Sequence, residues 1–388
     1  MAGPTATTRP PPWRDVRILR LAFQGGALVA VGAFLAYLYD NLTANQRALG
    51  IETSFDFLDQ QAGFRIAYSD FSPSGTVFEA MLVGLRNTVT VALLGIVLTL
   101  ILGTLVGIAR LSSNWLVRRA AGAYVEAVRN VPPLLVIIFV NSAFLATLPP
   151  IDDPDHVAGV LLTVREIGVT VPRGDGGVWI YLGLLAAALA GAVALARWRA
   201  TVEERTGRPA RPWLWGGGLV AAVAVGAWFA LDAPVVLSRP EVVDRSIEGG
   251  VAMGLPFVAV LVGLVLYTAT HVAEIVRGSI LAVPKGQTEA ATAVGLSTAQ
   301  RLRYVVLPQA FRIAVPPTIN QFLNLTKNTS LGVAVAYGEA MYVTRTVIGN
   351  GNPAIQSILV VMAMYVVVSL AISLVANVAN RRLRLVER

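Results

Sequence analysis

The stretch that decides the fold reads Pro284-Lys285-Gly286-Gln287-Thr288-Glu289-Ala290-Ala291-Thr292-Ala293-Val294-Gly295-Leu296-Ser297. Residues 288–294 predict a short helix, with a capping residue at its start and Glu289 in its first turn. Gly295 suits a left-handed helix stop, and Ser297 can cap a second helix running to about Val306. The pattern predicts a bent, exposed elbow that is suited to docking into a groove of a partner protein.

Long apolar runs flank this elbow on both sides. The 388 residues are 55% hydrophobic and only 14% charged, whereas soluble domains are about a quarter charged. Because about 20 apolar residues cross a bilayer, we expect an all-α integral membrane protein with about eight spans. The predicted spans are Leu21 to Tyr39, Val89 to Ala109, Leu134 to Leu148, Val178 to Ala196, Trp213 to Leu231, Val251 to Val272, Ile313 to Val335 and Ile355 to Ala379.

The charges predict the orientation of these spans. Eight spans place both termini on one side, and most of the 31 Lys and Arg residues then fall in the two tails and in the loops on that side. Cytoplasmic loops carry such an excess, so we expect both termini in the cytoplasm. The net charge of +8 is therefore a topology signal and needs no nucleic acid.

The composition excludes several kinds of site. There is no cysteine and there are two histidines, His156 and His271, so thiolate chemistry and multi-histidine metal centres are excluded. Neither Lys285 nor Lys327 lies in the Gly-rich context of a Walker A loop. We therefore expect no cofactor in this chain, and any ATP must be bound by another subunit.

The predicted seventh span carries a polar stripe that cannot face lipid. Asn320, Asn324, Lys327 and Asn328 fall at i, i+4, i+7 and i+8, with Gln321 beside them. Such residues either line a pathway or join helices by hydrogen bonds, and both interpretations stay open. Within the stripe, Lys327 is the residue best suited to meet an anionic group such as a substrate carboxylate.

Three other spans carry features with a structural interpretation. Small residues recur every four positions in the second span and predict a helix-packing face; they are Gly95, Thr99, Gly103 and Gly107. The third span begins with Pro132 and Pro133 and is short enough to be tilted or broken. The sixth ends in His271, Glu274 and Arg277, for which we favour a Glu274–Arg277 ion pair over a metal site or proton relay.

The chain divides into three parts. Residues 1–83 hold the amino-terminal tail, the first span and an outer segment; the first apolar run is long for a signal peptide, so we expect it to be retained. Residues 84–380 form the transmembrane domain, with a helix pair inserted at about 150–250 and the elbow at about 284–308. Residues 381–388 form a basic cytoplasmic tail. We expect residues 40–80 to be an extended connection that lies on neighbouring helices rather than an interfacial or partially folded loop.

The elbow sequence resembles the EAA loop of binding-protein-dependent ABC importer permeases. The matching positions are Glu289-Ala290-Ala291, Gly295 and Leu307-Pro308. Further segments resemble the polar and general L-amino-acid branch of that family in its long form; they are Arg129–Pro133, Glu274–Gly278, Pro284–Gln287, Asn320–Asn324 and Lys327–Leu331. The short members have five spans, so the leading helix and the inserted pair are departures from the family pattern.

The resemblance implies the fold of a type I importer transmembrane domain in a bacterial inner membrane and the uptake of L-amino acids. It implies that Glu289, Ala290, Ala291 and Gly295 dock onto a separate ATP-binding subunit, which binds the ATP and Mg. It further implies a second, related permease subunit and a periplasmic amino-acid-binding protein. The outer segments Asp232 to Glu248 and Glu339 to Asn352 are candidate contacts for that binding protein.

Two other functions compete with this interpretation. A secondary transporter driven by protons or sodium would use the polar stripe and Glu274 for ion coupling, but it has no need of a docking elbow. A membrane enzyme would need acids, histidines or serines clustered at one membrane face, and the sequence offers no such cluster.

Overall fold

Long helices make up most of the computed structural model, which describes residues 16–48, 50, 54–173, 176–206, 212–233, 236–244 and 246–383. Four predicted features lie wholly or partly outside these residues: the amino-terminal tail, Arg208 and Arg211 of one basic loop, the outer segment 232–248, and the end of the basic carboxyl tail. The twelve α-helices of the described residues are α1 Val16–Ala48, α2 Val77–Ala109, α3 Trp115–Arg129, α4 Pro133–Phe139, α5 Gly176–Thr206, α6 Pro212–Ala230, α7 Leu255–Leu281, α8 Lys285–Ala293, α9 Thr298–Arg301, α10 Leu307–Asn328, α11 Ala340–Gly349 and α12 Ala354–Leu383.

Local sequence explains where several helices begin. Thr76 and Glu79 form a reciprocal capping box at the start of α2, and the Asn114 side chain caps α3. Pro133 occupies the first turn of α4, where a missing amide hydrogen costs nothing. The starts of these three helices are therefore explained by local sequence alone.

Six of the described helices are long and apolar enough to cross a membrane: α1, α2, α5, α6, α7 and α12. The predicted third span is broken, since α4 continues only as a π-helical turn, Val140–Phe144, and a 3-10 turn, Leu145–Thr147. Together with α3 it forms a pair bent by 106°, which would make a seventh span. The predicted seventh span forms α10 only as far as Asn328, and its last residues instead form a 3-10 turn, Thr329–Val335. The polar stripe keeps α10 outside the group of six.

Eight short strands, which were not predicted from the sequence, border the inserted helix pair. They are β1 Asp155–Val157, β2 Val160–Leu162, β3 Glu166–Val169, β4 Val171–Arg173, β5 Val236–Ser238, β6 Glu241–Val243, β7 Ser246–Glu248 and β8 Val251–Gly254. The strand β8 replaces the first four residues of the predicted sixth span, and α7 instead continues to Leu281. Residues before and after α5 and α6 pair in antiparallel register, β3 with β8 and β4 with β5. The inserted helix pair therefore leaves and rejoins the core at one place, formed by the β3–β8 and β4–β5 pairs and here called the neck.

The predicted small-residue stripe of α2 packs against α7. A Cβ added at Gly103 would lie 2.6 Å from Cβ of Val272, and one at Gly107 would lie 2.7 Å from the Ala273 carbonyl oxygen. Gly95 packs less tightly, since a Cβ added there would lie 3.1 Å from Cδ2 of Leu325 in α10. The stripe is thus a close-packing face, as predicted, and it holds α2 and α7 side by side at the centre of the bundle.

The segment before α2 packs more tightly than a simple connection. Residues 56–59 form a 3-10 turn, and Phe57 and Ile66 are buried with Met81 of α2 and Val343 of α11 in one hydrophobic cluster. This cluster closes one end of the bundle, and the elbow lies beyond the other end.

Candidate functional site

A polar cavity lies between α7 and α10. It has a volume of about 250 Å³, and it is lined by Tyr267, Thr268 and His271 from α7 and by Gln321, Asn324, Lys327 and Asn328 from α10. Residues 267–271 fall near the middle of the 27-residue α7, which places the cavity well inside the membrane-spanning part of the bundle.

The cavity brings together four of the five residues predicted for the pathway. Asn320 lies on the same stripe but does not line the cavity. Asn320, Asn324 and Lys327 are exposed on the surface of the chain. Within the part of the chain that the structure describes, no side chain of the stripe hydrogen-bonds to another helix. The geometry therefore favours a cavity lining over interhelical hydrogen bonds, and a role in a pathway stays a prediction.

The opposite face of α10 anchors the stripe. Leu325 is buried in the central core with Val91, Ile137 and Val260. Pro316 and Pro317 remove two amide donors from the middle of α10, and the Thr318 hydroxyl donates to the Ala314 carbonyl there at 2.8 Å. The buried face thus fixes the orientation of the polar one.

The ionisable residues at the end of α7 form an ion-pair network. Glu274 accepts from Arg277, as predicted, and also from Arg110, which follows the last residue of α2. Arg110 was not predicted as a partner, because 164 residues separate it from Glu274. His271 lies edge-on to the Tyr267 ring with centroids 5.0 Å apart. The arrangement is a structural clamp between α2 and α7.

The elbow forms, with a different helix start from the one predicted. The first helix, α8, begins at Lys285 after Pro284, and the Thr288 hydroxyl donates to the Lys285 carbonyl rather than capping the helix. Gly295 has a φ of +83°, the predicted left-handed stop. Ser297 and Gln300 form a capping box at α9, as expected for the second helix.

The second helix of the elbow does not end at Val306. After α9 a π-helical turn, Leu302–Val306, leads directly into α10. The Arg301 guanidinium donates to the Thr292 hydroxyl at 3.0 Å and so ties the two arms together.

The residues predicted to dock differ in exposure. Glu289, Ala290 and Gly295 are exposed, and the neighbouring Val294 is 76% exposed. Ala291 is only 5% exposed, so its small side chain serves packing within the elbow. The exposed apolar tip at Val294 is a feature that was not predicted from the sequence.

A buried carboxylate lies at the other end of the molecule. Glu339 is 0% exposed. It accepts from the amides of Met341 (2.9 Å) and Tyr342 (2.7 Å) at the start of α11 and from the Tyr365 hydroxyl (2.7 Å). Burial raises the pKa of this carboxyl group, which lies between α10 and α12. The segment Glu339 to Asn352, a candidate contact for the binding protein, consists mostly of α11. Because Glu339 is buried, this first residue of the segment cannot contact a partner.

Hydrogen bonds at and around this carboxylate join α2, α11 and α12. The Tyr337 hydroxyl donates to the Asn87 carbonyl (3.0 Å), and the Asn87 amide donates to the Gly338 carbonyl (2.7 Å). The Ala340 amide donates to the Thr88 hydroxyl of α2 (3.1 Å). In the sequence, Glu339 is an isolated acid between Tyr337 and Met341, and this pattern does not distinguish a buried from an exposed carboxylate.

Comparison with known proteins identifies what the chain is similar to. The family model described as "Binding-protein-dependent transport system inner membrane component" matches residues 210–385. The chain is 36% identical over 371 residues to the putative amino-acid ABC transporter permease protein YhdX of Escherichia coli, and the alignment covers 94% of each chain.

Two further relatives match over nearly the whole length. The chain is 35% identical to the general L-amino acid transport system permease protein AapQ of Rhizobium johnstonii, over 96% of this chain and 94% of the relative. It is also 35% identical to the glutamate/glutamine/aspartate/asparagine transport system permease protein BztB of Rhodobacter capsulatus, over 96% of both.

Proposed function

Because the chain belongs to the family of binding-protein-dependent transport system inner membrane components, we propose that it is the permease subunit of an ATP-driven importer of L-amino acids. The observation that carries this proposal is the full-length similarity to relatives whose names specify amino-acid transport. The chain itself is a multi-pass membrane permease and not an enzyme.

A separate ATP-binding subunit supplies the energy in this proposal. The elbow supports it, because Glu289, Ala290 and Val294 form an exposed surface on a rigid bent support. ATP and Mg bind to the partner, and closure of the ATPase pair moves the elbow. The basic loop after α2 and the elbow lie at the same end of the bundle, which agrees with a cytoplasmic position for both and for the two termini.

The cavity between α7 and α10 forms part of the translocation pathway. Its exposed amides and Lys327 would be unstable against lipid, so they face water or a second permease subunit. We infer that this second subunit is related rather than identical and that it completes the pathway. A periplasmic binding protein delivers the amino acid to the outer end.

Lys327 is the residue that we propose for the substrate carboxylate. Among the seven described residues that line the cavity, Lys327 is the only lysine. Its ammonium group is a strong donor to a carboxylate. The amide groups of Gln321 and Asn324 suit the polar remainder of many amino acids, which agrees with a broad substrate class.

The first test is to identify what co-purifies with the tagged chain in mild detergent. We expect an ATP-binding subunit and a second permease. Uptake in cells should then survive collapse of the ion gradient while ATP remains. Loss of uptake under that condition, together with purification of the chain alone, would favour an ion-driven secondary transporter instead.

The second test replaces Lys327 by methionine, which keeps much of the side-chain volume and removes the charge. We expect amino-acid uptake to fall at least tenfold, because a charged hydrogen bond contributes about 1.5–3 kcal/mol. Asn320→Ala is the matched control, since Asn320 lies on the stripe outside the cavity. Equal loss in both variants would contradict a specific role for the cavity.

A further inference from the structure

A second cavity carries a strong positive charge. It has a volume of about 390 Å³, and four arginines line it together with Trp115 and Glu126; the arginines are Arg110, Arg118, Arg119 and Arg277. It lies where the ends of α2 and α7 meet α3, at the same end of the bundle as the elbow. The cavity plays no part in the polar pathway described above.

The charges in this cavity do not cancel. Glu274 accepts from both Arg110 and Arg277, and Glu126 is the other carboxylate near the four guanidinium groups. Two acids against four arginines leave an excess of positive charge. Arg118 and Arg119 are exposed, so their guanidinium groups supply the donors that a ligand can reach. An excess of donors of this kind suits an anion with several acceptor oxygens.

The ends of α2 and α7 place the cavity at a membrane surface, because Arg110 directly follows α2 and Arg277 lies close to the end of α7. The Tyr124 hydroxyl donates to the Leu266 carbonyl of α7 at 2.7 Å, and Val125 is buried, so one face of α3 is fixed to the bundle. The start of the helix exposes the apolar side chains of Trp115, Leu116 and Val117 directly before two arginines. Exposed tryptophan beside arginine on an amphipathic helix is typical of the boundary between headgroups and acyl chains.

The Arg118 guanidinium is held in place for binding. Arg118 donates to the carbonyls of Ser112 (2.7 Å) and Ser113 (3.4 Å), which orients its side chain over the loop between α2 and α3. The last turns of α2 before this loop expose Ile101, Leu105 and Ile108. Apolar surface for acyl chains therefore lies on the membrane side of a cationic pocket, a combination that distinguishes a lipid site from a site for a free anion.

We propose that this cavity binds the phosphate of an anionic phospholipid headgroup, with Arg118 and Arg119 as the principal donors. The bound lipid would hold α3 against the ion-pair network of Arg110, Glu274 and Arg277. Anionic lipid then stabilises the contact between α2 and α7 from the membrane surface.

The test is native mass spectrometry of the full-length chain, with the subunits that co-purify, mixed with equal amounts of phosphatidylglycerol and phosphatidylcholine. We expect preferential retention of phosphatidylglycerol. Arg119→Gln should lower that preference about fivefold and the Arg118→Gln/Arg119→Gln pair about 25-fold, since each arginine near an anionic surface contributes about 1 kcal/mol. Glu126→Gln should raise it, a change that misfolding cannot produce.

The control variant is Arg197→Gln, because Arg197 is an exposed arginine of α5 outside the cavity. It should leave the preference unchanged. Equal retention of the two lipids by the unmodified chain, or an unchanged preference in Arg119→Gln, would overturn the proposal. Displacement of phosphatidylglycerol by inorganic phosphate at about 10 mM, an excess over any bound lipid, would assign the cavity to a free anion and also overturn it.

Discussion

Gly103 of α2 lies so close to α7 that a single added methyl group has no room. The nearest atom of α7 is Cβ of Val272, at 2.6 Å from the position of an added Cβ, and this atom is fixed to the backbone. Gly103→Ala should therefore push the helices apart and lower the free energy of unfolding by about 1–3 kcal/mol. The measurement is the thermal unfolding midpoint in detergent.

The matched control for that variant is Gly183→Ala in α5. No atom lies within 4 Å of a Cβ added at Gly183, and alanine is the better helix former. We expect an unchanged or slightly higher midpoint. A midpoint lowered equally by both substitutions would show that close packing of α2 on α7 is not the cause.

Glu339 makes a second prediction at the scale of one residue. Glu339→Ala removes the cap of α11 and leaves the Tyr365 hydroxyl without its acceptor, so unfolding should become easier by about 2 kcal/mol or more. Glu339→Gln keeps one acceptor oxygen and should cost less. Comparison of the two thermal midpoints at one pH checks this order.

The same carboxyl group predicts a pH dependence. Burial raises its pKa above the ordinary 4.5, so the folded chain binds more protons than the unfolded one in the range above pH 4.5. Its contribution to stability is therefore full below that pH and is lost as the pH rises through the folded pKa. The Glu339→Gln chain should lack this component, and parallel pH profiles of the two chains would contradict the assignment.

Residue chemistry was predictable where it depends on local sequence. The left-handed Gly295, the Ser297 cap and the Glu274–Arg277 pair follow from neighbours within a few positions along the chain. Arg110 and the burial of Glu339 depend on contacts with residues that lie far away in sequence. Periodicity identified the polar stripe, but which of its members line the cavity depends on how α7 lies against it.

Among the elements, the elbow gives the sharpest prediction. Gly295→Asp puts a charged side chain at the turn between α8 and α9, where φ is +83°. The chain should still reach the membrane, because the elbow lies outside the spans. Uptake should be abolished, because the strained and charged turn no longer docks onto the ATP-binding subunit. Gly286→Asp is the control, because it adds the same side chain to α8 at a site with open space and no positive φ. Unchanged uptake in Gly295→Asp would refute the docking role.

The helices were predicted more reliably than the strands. Apolar runs of about 20 residues give a strong signal. The bounds of α6 and α12 agree closely with the predicted spans, whereas α5 continues to Thr206, well beyond the predicted end at Ala196. The strands are three or four residues long and pair across the inserted helices, so no alternating pattern is long enough to identify them. The break in the third span agrees with the tilted or broken helix expected from Pro132 and Pro133, whereas the π-helical turn Val140–Phe144 was not predicted.

At the scale of the whole molecule, the family predicted from a few motifs is confirmed by relatives that align over nearly the entire chain. The inserted helix pair gives a test of what the core needs. Arg173 and Val236 pair in antiparallel register at the neck, so an Asn-Gly turn can replace residues 174–235. Since two spans are removed together, the remaining spans keep their orientation.

We expect the shortened chain to retain assembly with its partners and amino-acid uptake within about twofold of the full chain, which is about 0.4 kcal/mol. Co-purification and uptake measure the two properties. Assembly lost on excision, with the chain still in the membrane, would place α5 and α6 in the contact with another subunit.

The π-helical turn at Leu302–Val306 has a mechanical consequence. Because it joins α9 to α10 without a break, a continuous helical segment, here called the rod, covers about 45 Å between Thr298 and Lys327 at 1.5 Å per residue. A tilt of about 5° at one end would displace the other by about 4 Å over that length. The rod is a lever, and its weak points are the π turn and the Pro316–Pro317 pair. The stiffness of the helix at these two sites would determine how much of a displacement of the elbow is transmitted to the cavity.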